Sequence, residues 1–481
     1  MNNILLLRNP GDALSEGITD PNAHSILYAI TCRALSLLKP GQKIIFPKQG
    51  GIESYLEHVA EFLMPMQDLK TRISHLKAML IPVPLKKEDV TSKDYLQSLD
   101  SIVTNTLNDH KLEPYVDGSS ARTFAQELGC EYPDTFHETL SNIRHKVHFH
   151  HFCEKNGLPT IPDSIVAGME EKHSHQCESI FGAIQALFKK GYSTLMLRQA
   201  IAAGGIGNVK IERVKGDDYH VIGYEKTFRS DQDLMRWLSE EFHLAVNPAG
   251  MMVAPYFSEG ISLSGLAEIR ENGEVLVPYL AQEMLNDEGT SFQGVRIDNG
   301  LPENIAKQAI EMLQKAGEVL CEQGAIGRLQ MDMRTVNGRV CGVESNSLRK
   351  TAVIEMGEIM TQSEDWIAAG HERLKARRQR AFIGVDHFPI SQTLAERIQK
   401  KGFYDAFNEI RMVEGQDIGL LLHCALPLHF LNGKPHIGLM MADEAIRPRR
   451  GAKRVEALSD KLSQLTLDEK WDLVKQVFQG K

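Results

Sequence analysis

The chain lacks the marks of a secreted, membrane-spanning or nucleic-acid-binding protein. Its seven cysteines are scattered over 481 residues and include no C-x-x-C pair. An odd, dispersed set argues against a disulfide framework and fits a reducing compartment, the cytoplasm. The longest apolar run, 418–431, contains His423, Pro427 and His429. It therefore reads as a buried strand, not a membrane span. The apolar opening, 1–7, is too short for a signal peptide and fits a first strand. Basic charge is not in excess: 54 Lys and Arg face 63 Asp and Glu, a formal net charge of −9. Nucleic acid is accordingly a poor default partner, and the local basic runs at 373–380 and 447–454 read as solvated helix faces. No G-x-G-x-x-G follows the first strand, where Asn9-Pro10-Gly11-Asp12 makes a turn, and no G-K-[ST] follows the later glycine stretch. Neither a dinucleotide fold nor a Walker A loop is supported. With no repeat or low-complexity stretch, what remains is an ordinary soluble composition, 42% apolar and 24% charged, long enough for two or three domains.

The stretch 324–351 carries the chemistry. Strands are expected at 328–334 and 338–346, with Asn337-Gly338 in the turn between them. Parity matters, because side chains alternate faces with period two. A two-residue turn would put Asp332 and Glu344 on opposite faces. A three-residue loop, Val336-Asn337-Gly338, sets Thr335 opposite Arg339 and Gln330 opposite Glu344. Asp332, Glu344 and Asn346 then share one face, with Arg328 in line. The neighbours Leu329, Met331, Met333, Val340 and Val343 indicate a buried ribbon, where unpaired carboxylates are costly. Two carboxylates and an amide oxygen suit Mg²⁺, which completes its shell with phosphates and water. A solvated acidic hairpin is the competing reading.

Elsewhere, strands are expected at 4–7, 43–46 and 79–83 and helices at 24–38 and 54–62, an alternation that indicates a mostly parallel α/β layer. A helix at 121–128 ends at Gly129. Another, 142–156, carries Lys146 and precedes Gly157-Leu158-Pro159-Thr160-Ile161-Pro162. His148 and His151 on that helix are three apart and could share a zinc-ligand face, but no second cluster follows, and solvated or capped histidines explain them more simply. Strands at 194–198 and 209–213 flank a turn containing Gly204, Gly205 and Gly207. Glycines there let backbone N–H groups approach phosphate oxygens, although hairpin geometry alone would also account for them. The stretch 251–265 reads as strand, connection and strand; 282–295 as a polar, glycine-punctuated loop; 304–323 as an amphipathic helix. Toward the end come strands at 418–426 and 436–441, a turn at Asn432-Gly433-Lys434, and a helix at 455–465.

Lys146 followed by G-L-P-x-x-P, the glycine turn, the strand pair 251–265 and Glu344-Ser345-Asn346-Ser347-Leu348-Arg349 occur in the order found in the ATP-grasp ligases. The tail resembles their metal-binding E-x-N-x-x-R end. The likeness covers 112–376 and is nearest the pheganomycin-type peptide ligase branch, through Leu112-Glu113-Pro114-Tyr115, 282–294 and 344–351. Ser347 is an extra residue, and the glycine pair that follows the arginine in that branch is missing here. The resemblance implies an α/β (α+β) chain: a pre-ATP-grasp domain at 1–120, a two-part ATP-grasp domain at 121–378 with a mobile lid at about 160–250, and a small C-terminal domain at 379–481. It implies ATP and two Mg²⁺ ions as cofactors, with the metal on Asp332, Glu344 and Asn346. Lys146 and Arg198 would meet the phosphates, Arg198 standing where the family has lysine. Gly204, Gly205 and Gly207 would close the lid. Ala254, where many members have glutamate, would bind adenine with Tyr256 or Phe257 through backbone groups, and Glu259 would meet the ribose. Arg328 and Arg349 would hold the substrate carboxylate or the developing oxyanion. The implied activity is a cytoplasmic carboxylate–amine ligase acting through an acylphosphate on a small-molecule acid and amine, without nucleic-acid or membrane partners and with room for a homodimer. A phosphotransferase on the same fold, or a nucleotide-binding scaffold without turnover, are the alternatives.

Overall fold

The computed structural model describes residues 3–9, 12, 31–38, 42–48, 52, 55–56, 69–85, 91–99, 107–132, 138–169, 172–200, 208–215, 218–222, 226–240, 250–285, 289, 292–297, 300–347, 355, 382–401, 412–413, 416–417, 420–431, 434–442 and 467–479. It divides into two compact units, one of 1–134, 294–299 and 349–481, the other of 135–293 and 300–348. The segments 1–120 and 379–481, expected as separate domains, both fall in the first unit.

The first unit opens with four short parallel strands, β1 (Ile4–Leu7), β2 (Gln42–Pro47), β3 (Leu80–Val83) and β4 (Lys111–Pro114), in the order β3-β2-β1-β4. This is the parallel α/β layer that the alternation predicted. Leu5, Leu7, Ile45, Val83 and Leu112 bury one core with Tyr95 and with Phe124 of helix α1 (Ser119–Leu128). That helix stops at Gly129, whose φ of 68° is left-handed and whose N–H returns to Ala125 and Gln126. Of the helix expected at 24–38, the described part is a 3₁₀ turn, Thr31–Leu37. Later in the same unit, Phe382–Pro389 pairs antiparallel with residues 294–297 and with Lys434–Ala442, which in turn pairs with Leu420–Leu431. The helix expected at 455–465 and the turn residues 432–433 lie outside the described residues; a helix occupies Leu467–Gln479.

The second unit holds two antiparallel sheets. Strands β5 (Ile165–Ala167), β6 (Thr194–Gln199), β7 (Asn208–Lys215), β8 (Asp218–Ile222), β9 (Lys226–Phe228) and β10 (Met251–Pro255) run in the order β5-β10-β6-β7-β8-β9. Their apolar face packs on helices α3 (His173–Lys189) and α4 (Asp231–Glu240), around Leu187, Leu197, Ile211 and Trp237. Helix α2 (Lys146–Lys155) precedes them. The single helix expected at 142–156 is thus two pieces, Glu138–Asn142 and α2, parted at Ile143–His145. The other sheet contains β11 (Ser262–Ile269), β12 (Val275–Leu285), β13 (Gly327–Val336) and β14 (Arg339–Ser345), in the order β14-β13-β11-β12. Leu263, Ala267, Leu329, Met331 and Met333 turn to helix α5 (Glu303–Glu322) and form its core with Leu313 and Leu320. Gly317 of α5 faces Val275 so closely that a Cβ would meet its methyl at 2.5 Å. The expected polar loop 282–295 is largely strand: β12 runs on through Leu285 and pairing resumes at Phe292. A β-bulge in the pairing of β12 with β11, between Leu266 and Glu268, breaks the alternation, so Val275 packs in the α5 core while Glu283 lies on the other face.

Candidate functional site

With its apolar face on α5, the second sheet turns its other face to polar chemistry. Ser262, Ser264, Leu266 and Glu268 of β11 stand opposite Arg334, Asp332, Gln330 and Arg328 of β13. Partners across a ladder share a face, so Arg328 is in line with Asp332 as expected. Asp332 anchors the stripe. Its Oδ1 accepts from Ser264 Oγ at 2.7 Å and Gln330 Nε2 at 2.9 Å, and its Oδ2 from Asn346 Nδ2 at 2.8 Å.

The hairpin reaches the expected pairing by an unexpected route. Its turn has two residues, Asn337 at φ 49° and Gly338 at φ 76°, and Val336 faces Arg339. The three-residue loop is therefore wrong: asparagine and glycine both accept positive φ, which is what the tighter turn requires. A β-bulge then restores parity. Met333 faces Gly342 but Asp332 faces Glu344, leaving Val343 as the extra residue. Gln330 does not face Glu344; its carbonyl takes the Asn346 N–H at 3.0 Å. Asp332, Glu344 and Asn346 share a face after all.

Two cations converge on this face. Lys146 is the first residue of α2, 4% exposed, and its Nζ lies 2.9 Å from Glu344 Oε2. Its backbone N–H, which a helix start leaves unsatisfied, goes to Ala200 O at 3.0 Å just beyond β6. That bond ties Lys146 to the strand of Arg198. Arg198 is 7% exposed; its Nη1 donates to the bulge carbonyl of Val343 at 3.2 Å, and its Nε has no partner. Burial depresses its pKa below the usual guanidinium value, against the opposing pull of Glu344. Among the described residues no carboxylate forms an ion pair with it, although the Glu344 and Asp332 charges favour it.

Sequence reasoning missed two members of the patch. Glu283 of β12 is hydrogen-bonded to Asp332, and burial, with the Asp332 and Glu344 charges, raises its pKa well above the ordinary carboxylate value. Arg334 lies two residues beyond Asp332 on β13. Its Nη1 donates to Ser262 Oγ at 2.7 Å and its Nε and Nη2 to Phe257 O at 3.1 and 2.6 Å. Arg334 in phase with Asp332 was a signal open to sequence; nothing local places Glu283 on this face, because a β-bulge breaks the alternation of β12.

Ala254 is buried in β10 between β5 and β6. Tyr256 spends its N–H on Thr194 O at 2.9 Å, so of the two donors considered for the base, Phe257 N–H is the one left. Glu259 is exposed in the turn that follows. Arg349, Gly204, Gly205 and Gly207 lie outside the described residues. The histidines of α2 do not pool: His148 stacks on His145 at 4.2 Å, and His151 lies 3.6 Å from Glu154. Burial lowers His145 to a pKa of about 4, helped by His148 and Lys146.

Among the described residues, no three His, Cys, Asp or Glu side chains are gathered so as to hold a metal unaided. The donors present are all oxygens, Asp332 and Glu344 with the Asn346 amide beside them, and the buried Gln330 Oε1 has no partner. A hard cation that draws part of its shell from a bound phosphate fits such a set; zinc or a self-contained cage does not. Among the described residues no helix is long and apolar enough to cross a membrane.

No family model matches the chain, and no curated protein matches it in sequence. Solved structures do match in fold. An N5-carboxyaminoimidazole ribonucleotide synthetase in complex with ADP superposes with a TM-score of 0.51 at 13% identity, covering 99% of each chain. The carboxyaminoimidazole ribonucleotide synthase from Aspergillus clavatus, complexed with ATP, gives 0.51 at 10% identity over 99% of each. The biotin carboxylase domain of 2-oxoglutarate carboxylase from Hydrogenobacter thermophilus, complexed with MgADP, ADP and bicarbonate, gives 0.51 at 13% identity over 92% of this chain and 86% of that one.

Proposed function

We propose that this chain, which has the ATP-grasp fold, is an ATP-dependent ligase that joins a small-molecule carboxylic acid to an amine of the amino-acid or peptide class. The observation that carries the reading is the convergence of buried Lys146 and Arg198 on the face that carries Asp332 and Glu344. Charges of both signs brought out of water together suit a ligand that is itself a metal–polyphosphate.

Asp332, Glu344 and Asn346 would hold Mg²⁺, as one or two ions. When bound, the metal would neutralise charge on the terminal phosphates. Lys146 and Arg198 would supply the same kind of stabilisation, and Arg198 can fork onto two oxygens where a lysine offers one point charge. Arg328, on the same face as Asp332, would hold the substrate carboxylate. Arg349 would help at the developing oxyanion, and the turn with Gly204, Gly205 and Gly207 would exclude water. A carboxylate oxygen of the acid attacks the γ-phosphorus and the bond to the β–γ bridging oxygen breaks, giving an acylphosphate and ADP. The amine nitrogen then attacks the acyl carbon, phosphate leaves, and the nitrogen loses a proton.

One contact favours a second reading, a nucleotide-binding scaffold without turnover: Lys146 already neutralises Glu344, a proposed metal ligand. ADP and phosphate release, followed with and without pooled amines and with mass analysis of the products, separates the readings. Amine-dependent release with a new amide mass is the expected result. Release without amine and with a phosphorylated product would make the chain a phosphotransferase. Binding of Mg-ATP with no release under any acid and amine would favour the scaffold.

A further inference from the structure

The connection after β10 is held from outside by a residue of β13. Phe257 O accepts from Arg334 Nε and Nη2 at 3.1 and 2.6 Å, and from Gly260 N–H at 3.2 Å. A Cβ on Gly260 would stand 2.8 Å from Arg334 Nε, so the turn comes this close only because that residue is glycine. The third arm of the guanidinium binds Ser262 Oγ at 2.7 Å, and its carbon lies 4.9 Å from the centre of the Tyr256 ring, with Lys210 Nζ at 4.8 Å from the same ring. Every arm of Arg334 is therefore used, two on the connection itself and one on the first residue of β11. Tyr256 N–H is committed to Thr194 O at 2.9 Å. Among the described residues, the N–H groups of Phe257, Ser258 and Glu259 take no backbone partner, and Phe257 N–H is the first of them after the Pro255 carbonyl.

We propose that Arg334 is a positioning residue for the nucleotide base: by clamping the Phe257 carbonyl it fixes the hydrogen-bond pattern of the connection and so the preference for adenine over guanine. The inference rests on the nucleotide-binding reading above. Adenine presents a donor, its exocyclic amine, beside an acceptor, N1. A backbone carbonyl followed by an N–H matches that edge. Guanine presents the reverse, a carbonyl oxygen beside N1–H, and would leave two polar groups unpaired. Without Arg334, the Phe257 carbonyl keeps only the Gly260 N–H and can turn toward the ligand, where an acceptor suits guanine.

The test is calorimetric binding of ADP and of GDP, without magnesium, to the full chain with Arg334, with R334K and with R334M. Omitting the metal separates the result from the assignment of Asp332 and Glu344. R334M is expected to weaken ADP about tenfold or more, as loss of a charged hydrogen-bonding fork does, and to lower the ADP-to-GDP preference by a similar factor. R334K should fall between, because an ammonium makes one bond to a carbonyl where the guanidinium makes two; it also carries the test if R334M does not fold. A purely structural arginine would lower the melting temperature and weaken both nucleotides alike. An unchanged ADP-to-GDP ratio in folded R334M and R334K therefore overturns the inference while leaving the nucleotide reading intact. Failure of the unmodified chain to bind either nucleotide overturns both.

Discussion

Arg198 is a charge held against the interest of the fold. Its guanidinium is 7% exposed and has a carbonyl where a carboxylate would compensate it. Replacing such a group by an apolar side chain of similar length removes a desolvation cost. Arg198→Met is expected to raise the unfolding free energy by about 1–3 kcal/mol, measured by denaturant titration, while Mg-ATP binding weakens at least about tenfold. A less stable Arg198→Met with unaltered nucleotide binding would mean that the arginine serves packing. Asp332→Asn and Glu344→Gln change charge with little change in volume. Each should lower ADP release about 10²-fold or more with the fold retained by circular dichroism; full turnover in both would sink the metal assignment. The shared face of Asp332, Glu344 and Asn346 was legible because alternation along a hairpin limits which side chains can meet. Glu283 was not legible, since its place beside Asp332 comes from another strand, and the phase of Arg334 with Asp332 gives its face but not its partners.

At the scale of the element, the hairpin shows how a right pairing can follow from a wrong loop. Period two and Asn337-Gly338 predicted two strands and a turn, and both are present. The bulge could not be read, because Val343 is as apolar as its neighbours and nothing local marks it as the residue without a partner. Its presence makes parity testable. Deleting Val343 removes the bulge and still leaves Glu344 opposite Asp332, so the variant should keep metal-dependent nucleotide binding. Inserting one alanine between Val340 and Cys341 with the bulge kept instead throws Glu344 and Asn346 to the other face. That variant, if folded by circular dichroism, should be as impaired in ADP release as Glu344→Gln. Equal activity in the insertion and the deletion variants would show that the shared face is not what the chemistry uses. The strand content of 282–295 was hidden for a related reason: its Asn, Asp and Gly suggest a loop, while pairing with β11 carries β12 on through Gln282.

For the whole molecule, the alternation of strands and helices made the α/β class readable, whereas the partition into two units depends on contacts between residues far apart in sequence. The buried cluster of the first unit is the sharpest case. Glu355 is fully buried and takes Arg8 on one carboxylate oxygen and Arg33 on the other. Arg8 follows β1 and lies 4.4 Å from the centre of the Tyr115 ring just after β4. The Arg8–Glu355 bond joins positions 347 residues apart, and no periodicity links them. Closing so long a loop has an entropic cost that grows only slowly with its length, so a single buried contact can pin it. Removing the carboxylate charge takes from Arg8 and Arg33 the counter-charge they share while both stay buried, which is far worse than never having buried them. Glu355→Gln is therefore expected to lower the unfolding free energy by about 3–5 kcal/mol. Replacing all three together, Arg8→Met, Arg33→Met and Glu355→Leu, should recover most of that loss, because an apolar set of similar volume carries no charge to desolvate. Denaturant titration of the full chain checks both. If the triple variant is no more stable than Glu355→Gln, the cluster acts through its geometry, holding residue 355 in place, and the charges are only its means.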